Sequence, residues 1–426
     1  MNLLWISMVL MLLLGFPFLV VLLGPILLYF GTSMPAHMNS QVIIQQMING
    51  FIPPSLVCVP LFILAANIMT SGKAAARLVE MIRVNFGHFP GGLAITTNAS
   101  CTLFGAVSGS TQATVSAIGG TMRPMLLKAG YSSPFTLGLI INASDVALLI
   151  PPSIGFIVYG VVTSTSIGKL FLAGIGPGIL IFLLFSIYVF FYSKIKNIAI
   201  MEKATKEERR EALKLGWPVL GFPVIVIGGI YAGIFSPTEA AAAGVAYAMI
   251  LELFIYKTMT LTKLKDAIMD AGIVTGVVFI LVGAGQVLSW LISFLRIPQL
   301  IMPGIIGTDP TQLQLIIVVI IAYFIACMFV DPIVAIYVLS PIFQPYVLST
   351  GIDPVFLGVL VVLQAAVGSA TPPFGCDIFT AQLIFRRPYL EVIRHTPPFI
   401  LLLILATVLL VLFPQIAMFI PEMAGI

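Results

Sequence analysis

Three carboxylates stand where a carboxylate is expensive. Asp145, Asp331 and Asp377 each lie inside long apolar sequence, and an ionisable residue in such a setting marks a functional site by default. Near the first in sequence lies a dense hydroxyl run, Ser108, Ser110, Thr111, Thr114 and Ser116, with Gly109 and the amide of Gln112 in its midst. Hydroxyl and carbonyl oxygens are what a hard cation such as sodium seeks, and hydroxyls or helix-end N–H groups suit a solute carboxylate. The chemistry suggested is binding, because no nucleophile–base pair is arranged for hydrolysis and the chain reads as a non-enzyme. Asp331 precedes Pro332, so it reads as substrate contact or site organiser, with a helix N-cap as the plainer alternative. Asp145 reads equally as a cation ligand or as a hydrogen-bonded break residue, and Asp377 as structural or mouth-lining. Arg123 is the one two-pronged carboxylate partner nearby, although an arginine near a helix end more often anchors the interface.

The elements that must position these groups are membrane helices. Of 426 residues, 60% are hydrophobic and 8% charged, against about 25% charged in an ordinary soluble chain, and the mean hydropathy is +1.13. Apolar runs of about 20 residues indicate spanning helices rather than a β-barrel. Met1–Phe30 reads as a first retained span, bent near Gly24-Pro25. Lys73–Val84 has the pattern of an amphipathic interfacial helix, and Ser236-Pro237-Thr238-Glu239 reads as a helix start. The net charge of +4 comes from short basic segments, an orientation signal better than a nucleic-acid surface. Cys58, Cys101, Cys327 and Cys376 show no metal spacing, and His37, His88 and His395 stand far apart. No phosphate-binding loop occurs.

Two double prolines interrupt apolar sequence, Pro151-Pro152 and Pro372-Pro373. Ser110 precedes Ile150 by the same 40 residues that separate Asp331 from Thr371. Paired prolines free backbone carbonyls, which survive at membrane depth only when buried in protein or lining a wet cavity. Paired breaks in two halves are the pattern of a midplane ion and solute site. The expected fold is an all-α polytopic membrane protein with two repeats, taken as inverted. Residues 1–70 are scaffold helices. The first repeat is 71–193, with a hairpin near 93–120 and a broken helix near 135–166. A charged loop at 194–214 is expected to be cytoplasmic, from its lysine and arginine excess. Scaffold and a connecting arm fill 215–312. The second repeat, 313–426, has a hairpin near 313–346, a broken helix near 355–385 and a C-terminal helix.

The same segments carry a resemblance. Ala106-Val107-Ser108-Gly109-Ser110-Thr111-Gln112-Ala113-Thr114 through Gly119, followed by Leu149-Ile150-Pro151-Pro152-Ser153-Ile154, resembles the large membrane subunit of tripartite ATP-independent periplasmic (TRAP) transporters, the dicarboxylate-type permease. Gly233-Ile234-Phe235-Ser236-Pro237-Thr238-Glu239, Phe329-Val330-Asp331-Pro332 with Ser340-Pro341-Ile342, and Thr371-Pro372-Pro373-Phe374-Gly375 match in family order. The resemblance implies an elevator-type secondary transporter of a bacterial inner membrane that imports a small organic anion with sodium as coupling ion and no other cofactor. It also implies a small (Q-type) membrane subunit and a periplasmic (P-type) binding protein as partners. Carried over onto this sequence, Ser108, Ser110, Ser153, Asp331 and Arg123 are expected at the substrate. Ser108 and Gly109 with Asn142, Ser144 and Asp145 are expected at one sodium, and Cys327, Gly368 and Thr371 at a second. Two departures add carboxylate: Asn142-Ala143-Ser144-Asp145 replaces a glycine-rich stretch, and Asp377 stands where the family often has asparagine. A passive organic-anion channel and an ion-translocating subunit of a respiratory-type complex are the rival classes. Neither explains the paired breaks as economically.

Overall fold

The computed structural model describes residues 2–33, 41–307 and 309–425; His37 lies outside them. The described residues form 21 α-helices and no strand. Seven helices are long and apolar enough to cross a bilayer, or eight counting the Pro397–Leu412 and Gln415–Met423 pair, bent by 59°. The N-terminal reading needs correction. In place of one span bent at Gly24-Pro25, Asn2–Leu13 and Phe18–Ser33 are two helices packed on each other, with Pro25 inside the second. The chain turns at Gly15, where φ is +74°, and Pro17 restarts it. Within the connecting arm, Leu261–Phe294 is one helix of 34 residues, about 51 Å at 1.5 Å per residue, longer than a hydrocarbon core of about 30 Å.

The repeats rest on two helical hairpins and two broken helices. The first hairpin is Gly92–Ser108 and Thr111–Lys128; the first broken helix is Ser133–Asp145, a short turn over Val146–Leu148, and Ile154–Thr163. The second hairpin is Gln312–Phe329 and Pro332–Thr350; the second broken helix is Pro354–Ser369 and Cys376–Phe385. Both Pro151-Pro152 and Pro372-Pro373 are cis.

The hairpins enter from opposite ends of the Ile167–Ile195 helix. At the base of the first, the Tyr131 and Ser193 hydroxyls lie 2.7 Å apart, near that helix's C-terminus. At the base of the second, Gln344 Nε2 donates to the Thr163 carbonyl at 3.2 Å and Tyr159 Oη to the Pro354 carbonyl at 3.1 Å, just before its N-terminus. The two halves are thus inverted copies whose tips meet inside the protein. The broken helices form the core between them: every residue from Phe135 to Tyr159, and from Val355 to Ala370, is buried. The scaffold side leaves many apolar side chains exposed, Ile6, Leu10, Val224 and Phe254 among them, as lipid-facing helices must.

One carboxylate outside this core ties scaffold to repeat. Glu252, fully buried in a π-turn at Leu251–Ile255, accepts from the backbone N–H groups of Lys73 (3.0 Å) and Ala74 (2.8 Å) and from the Thr258 hydroxyl. These N–H groups open the Ala74–Phe86 helix and have no partner within it. Gly72 is required here, because a Cβ would lie 2.0 Å from the Glu252 carboxyl carbon. Glu252→Ala strands the buried Ala74 donor, at about 1–3 kcal/mol, and the part-buried Lys73 donor beside it. The expected result is a melting midpoint several degrees lower in detergent, with Glu252→Gln, which keeps an acceptor oxygen, falling between.

Candidate functional site

The hairpin tips and the first break border one open cavity of about 510 Å³. Ser108 to Ala113 line it from the first hairpin, Asp331, Pro332 and Ile333 from the second, and Leu148, Ile154 and Gly155 from the first broken helix. Ile63, Ala66 and Asn67 of the scaffold and Ile273, Val274, Val277, Val278 and Leu281 of the long arm helix complete the wall. A second cavity of about 620 Å³ lies at the base of the second hairpin, away from both tips and both proline breaks. The tip cavity is the better candidate because the expected residues converge there.

Local sequence explains its shape. Ser110 caps the Thr111–Lys128 helix, with Oγ 3.4 Å from Ala113 N, and Asp331 caps Pro332–Thr350 by accepting from Ile333 N at 2.9 Å. Ser153 caps Ile154–Thr163, accepting from Phe156 N at 3.2 Å while donating to the Leu148 carbonyl at 2.5 Å. Three helix N-termini therefore open onto one cavity, each with a partial positive charge; the first hairpin and the first break also present N–H groups, whereas at the second hairpin Pro332 has none and that of Ile333 is taken by Asp331. Asp331 is the only ionisable side chain among the described lining residues, and none of them is lysine or arginine.

Not every expected residue is there. Ser108, Ser110 and Asp331 line the cavity with Gly109, and Ser153 sits directly behind it. Arg123 does not line it: its guanidinium lies 5.4 Å from the Phe385 ring centre and donates to Ser133 Oγ at 2.9 Å. Asn142, Ser144 and Asp145 are fully buried beyond the tip, where Asn142 Nδ2 and Ser144 Oγ donate to the Gly138 and Ile140 carbonyls at 2.8 and 2.7 Å. Cys327 and Gly368 touch across the second hairpin and second broken helix, so that a Cβ on Gly368 would lie 2.5 Å from Cys327 Cβ. Thr371 Oγ1 donates to the Val367 carbonyl at 2.5 Å. Asp377 lines no mouth; it is fully buried and accepts from Thr111 Oγ1 at 2.6 Å and Ser369 Oγ at 2.8 Å.

Sequence reasoning did not find the part of Thr111 and Ser369, because one hydroxyl among many carries no signal until the fold sets it beside a carboxylate. Glu252 was findable, as an isolated carboxylate in an apolar run. The arm residues that wall the cavity have no chemical signature at all.

An inverted pair of helical hairpins, two broken helices and a cavity at the tips define a multi-pass inner-membrane permease. The profile of the family described as "Tripartite ATP-independent periplasmic transporter, DctM component" matches residues 5–416, and the chain belongs to that family. It is 53% identical over 419 residues to the ectoine TRAP transporter large permease protein TeaC of Halomonas elongata, covering 98% of each chain. It is 52% identical over 421 residues to the ectoine/5-hydroxyectoine TRAP transporter large permease protein UehC of Ruegeria pomeroyi, covering 99% of this chain and 98% of the relative. With the C4-dicarboxylate TRAP transporter large permease protein DctM of Pseudomonas aeruginosa it shares 32% over 372 residues, 87% of each. Among solved structures, the YdaH transporter of Alcanivorax borkumensis matches at a TM-score of 0.62 with 14% identity, covering 96% of this chain and 98% of that one. That likeness is one of fold alone.

Proposed function

We propose that this chain is the large permease subunit that imports a small zwitterionic organic acid of the ectoine type, driven by sodium. The observation that carries the solute class is the lining of the tip cavity: three helix N-termini and one carboxylate, with no described cationic side chain. A dianion placed there would meet Asp331 with no cationic side chain among the described lining residues to offset the repulsion. A zwitterion satisfies both features, its carboxylate facing helix-end N–H groups and its cationic group facing Asp331. Ectoine carries an amidinium and a carboxylate on one small ring, and the apolar arm residues suit the rest of that ring. The two ectoine permeases above, at over 50% identity along the whole chain, support the same solute.

Sodium coupling follows the family and the oxygen-rich tips. Gly109 of the first tip, beside Ser108, approaches the Pro152 carbonyl, and Cys327 of the second hairpin meets Gly368 of the second broken helix, with Thr371 next to it; these are the two proposed ion positions. Import runs by elevator-like movement of the hairpins and broken helices against the scaffold, with a periplasmic binding protein delivering the solute and a small membrane subunit bracing the scaffold. Proteoliposomes holding the reconstituted complex test this directly. An inward sodium gradient should accumulate labelled ectoine, and its collapse should abolish accumulation. Uptake driven by a proton gradient alone would reject the sodium reading, and sodium-driven uptake of succinate in preference to ectoine would reject the zwitterion.

A further inference from the structure

The cavity of about 620 Å³ at the base of the second hairpin is apolar within and charged at its rim. Val319, Leu357 and Val361 on its inner wall are at most 2% exposed, as is Tyr323, whose hydroxyl lies 2.7 Å from that of Ser340. At the rim Ser164, Ser166, Asp353 and Glu422 are exposed and Lys169 is half-buried. Leu348 stands with them, 76% exposed, a side chain suited to hydrocarbon and not to water. The rim also lies at headgroup depth. Ile167–Ile195 has 29 residues, about 43 Å at 1.5 Å per residue, which exceeds a hydrocarbon core of about 30 Å, so Ser166 and Lys169 at its start reach the headgroup layer. The Gln415–Met423 helix, bent by 59° from the one before it, packs on Ile167–Ile195. It gives Met418 and Glu422 to the cavity and leaves Phe419 and Met423 exposed, the habit of an interfacial helix.

The rim charges are unpaired. The described ion pairs, Arg83–Glu80 and Arg387–Glu391, include none of Lys169, Asp353 and Glu422. Ser166 Oγ accepts from Lys169 N at 3.4 Å and keeps its hydrogen to donate. Asp353 Oδ1 caps its helix through Val355 N (2.7 Å) and Phe356 N (3.2 Å), which leaves Oδ2 for a ligand. We propose that this cavity is a binding site for one phosphatidylethanolamine molecule. An acyl chain lies against the inner wall, the phosphate meets Lys169 and the Ser164 and Ser166 hydroxyls, and the ammonium meets Asp353 and Glu422. The charge count selects the headgroup. One cation and two carboxylates favour a ligand that brings a cation with its phosphate, whereas phosphatidylglycerol leaves both carboxylates uncompensated. Phosphatidylcholine brings a cation with no N–H to donate, while a primary ammonium has three. The lipid joins the base of the second hairpin to the first broken helix, where Gln344 Nε2 already donates to the Thr163 carbonyl at 3.2 Å, and to the C-terminal helix through Glu422. Solute and coupling ion play no part in it.

The full-length chain, purified in mild detergent and stripped of lipid, is titrated with phosphatidylethanolamine, phosphatidylglycerol and phosphatidylcholine of identical acyl chains. Native mass spectrometry counts the bound molecules. The wild type should hold one phosphatidylethanolamine about 10-fold more tightly than either competitor, and Lys169→Gln should weaken it by about 10-fold. The double variant Asp353→Asn, Glu422→Gln, in which asparagine keeps the helix cap, should bind phosphatidylglycerol as tightly as phosphatidylethanolamine. That gain is a readout no folding defect can produce. A wild type that retains no lipid, or holds all three equally, overturns the assignment. Variants with the wild-type preference overturn the location, and displacement of the lipid by ectoine makes the cavity a solute vestibule instead.

Discussion

Asp331→Asn should lower ectoine uptake by about 10–100-fold, the equivalent of losing one charge-assisted hydrogen bond worth about 1.5–3 kcal/mol. The substitution is chosen for what it preserves. Asp331 has two tasks, capping Pro332–Thr350 through Ile333 N and presenting the only charge among the described residues of the cavity wall. Asparagine caps a helix about as well as aspartate, so the second hairpin keeps its start and only the charge is removed. Asp331→Ala loses both and mixes a folding defect with a binding one. Transport by Asp331→Asn should fall through weaker capture of the cationic end of the solute, visible as a raised half-saturation concentration, while insertion and melting midpoint stay near wild type. The variant should also discriminate less against a purely anionic solute, because the repelling carboxylate is gone. Full ectoine uptake by Asp331→Asn would remove this residue from solute recognition and leave it a cap.

That dual task explains why the position of Asp331 was legible in the sequence, while Asp377 could be read only as structural or mouth-lining, of which the structure shows no mouth and a buried, hydrogen-bonded carboxylate. A carboxylate before a proline in apolar sequence signals a helix start and a special position together, and both readings end on the same residue. Asp377 had a similar address, four residues beyond a double proline, but its environment depends on Thr111, 266 positions away. No local pattern encodes that pairing. The repeat was visible because a break inside a hydrophobic run is a one-dimensional event, and two breaks at matched spacing are hard to produce otherwise. Which ends of the helices face which side is a three-dimensional fact, shown here by Tyr131 on Ser193 and Gln344 on Thr163. At the N-terminus the wrong punctuation was chosen. Pro25 lies inside a helix with apolar neighbours, and the turn falls at Gly15, Phe16 and Pro17, where a left-handed glycine and a proline act together. The length of the arm helix is not legible in hydropathy, because its polar first turns, Leu261 to Asp270, continue the same helix as the apolar remainder. Hydropathy marks the part within lipid and is blind to helix that extends beyond it.

Gly109→Ala should abolish uptake, and Gly351→Ala should not. Both glycines hold left-handed backbone at a hairpin, with φ of +58° and +69°, so both alanines carry the same intrinsic cost of about 1–2 kcal/mol. They differ in what the added methyl meets. At Gly351, near the base of the second hairpin, nothing lies within 4 Å. At Gly109, on the tip of the first, the Cβ would lie 2.4 Å from the Pro152 carbonyl oxygen, which belongs to the break and cannot rotate away as a side chain could. The tip must therefore lift, and Ser108, Ser110 and Thr111 move with it. The same displacement widens the tip cavity, withdraws a helix N-terminus from the solute and pulls the Thr111 hydroxyl from Asp377. One methyl group thus reaches the solute site and the buried Asp377 carboxylate at once, which is why its effect on transport should exceed its effect on stability. Uptake and melting midpoint measured on the two variants together separate the backbone cost, common to both, from the loss of contact between tip and break. If Gly109→Ala transports as well as Gly351→Ala, close approach of the hairpin to the Pro152 carbonyl is not part of the working cycle.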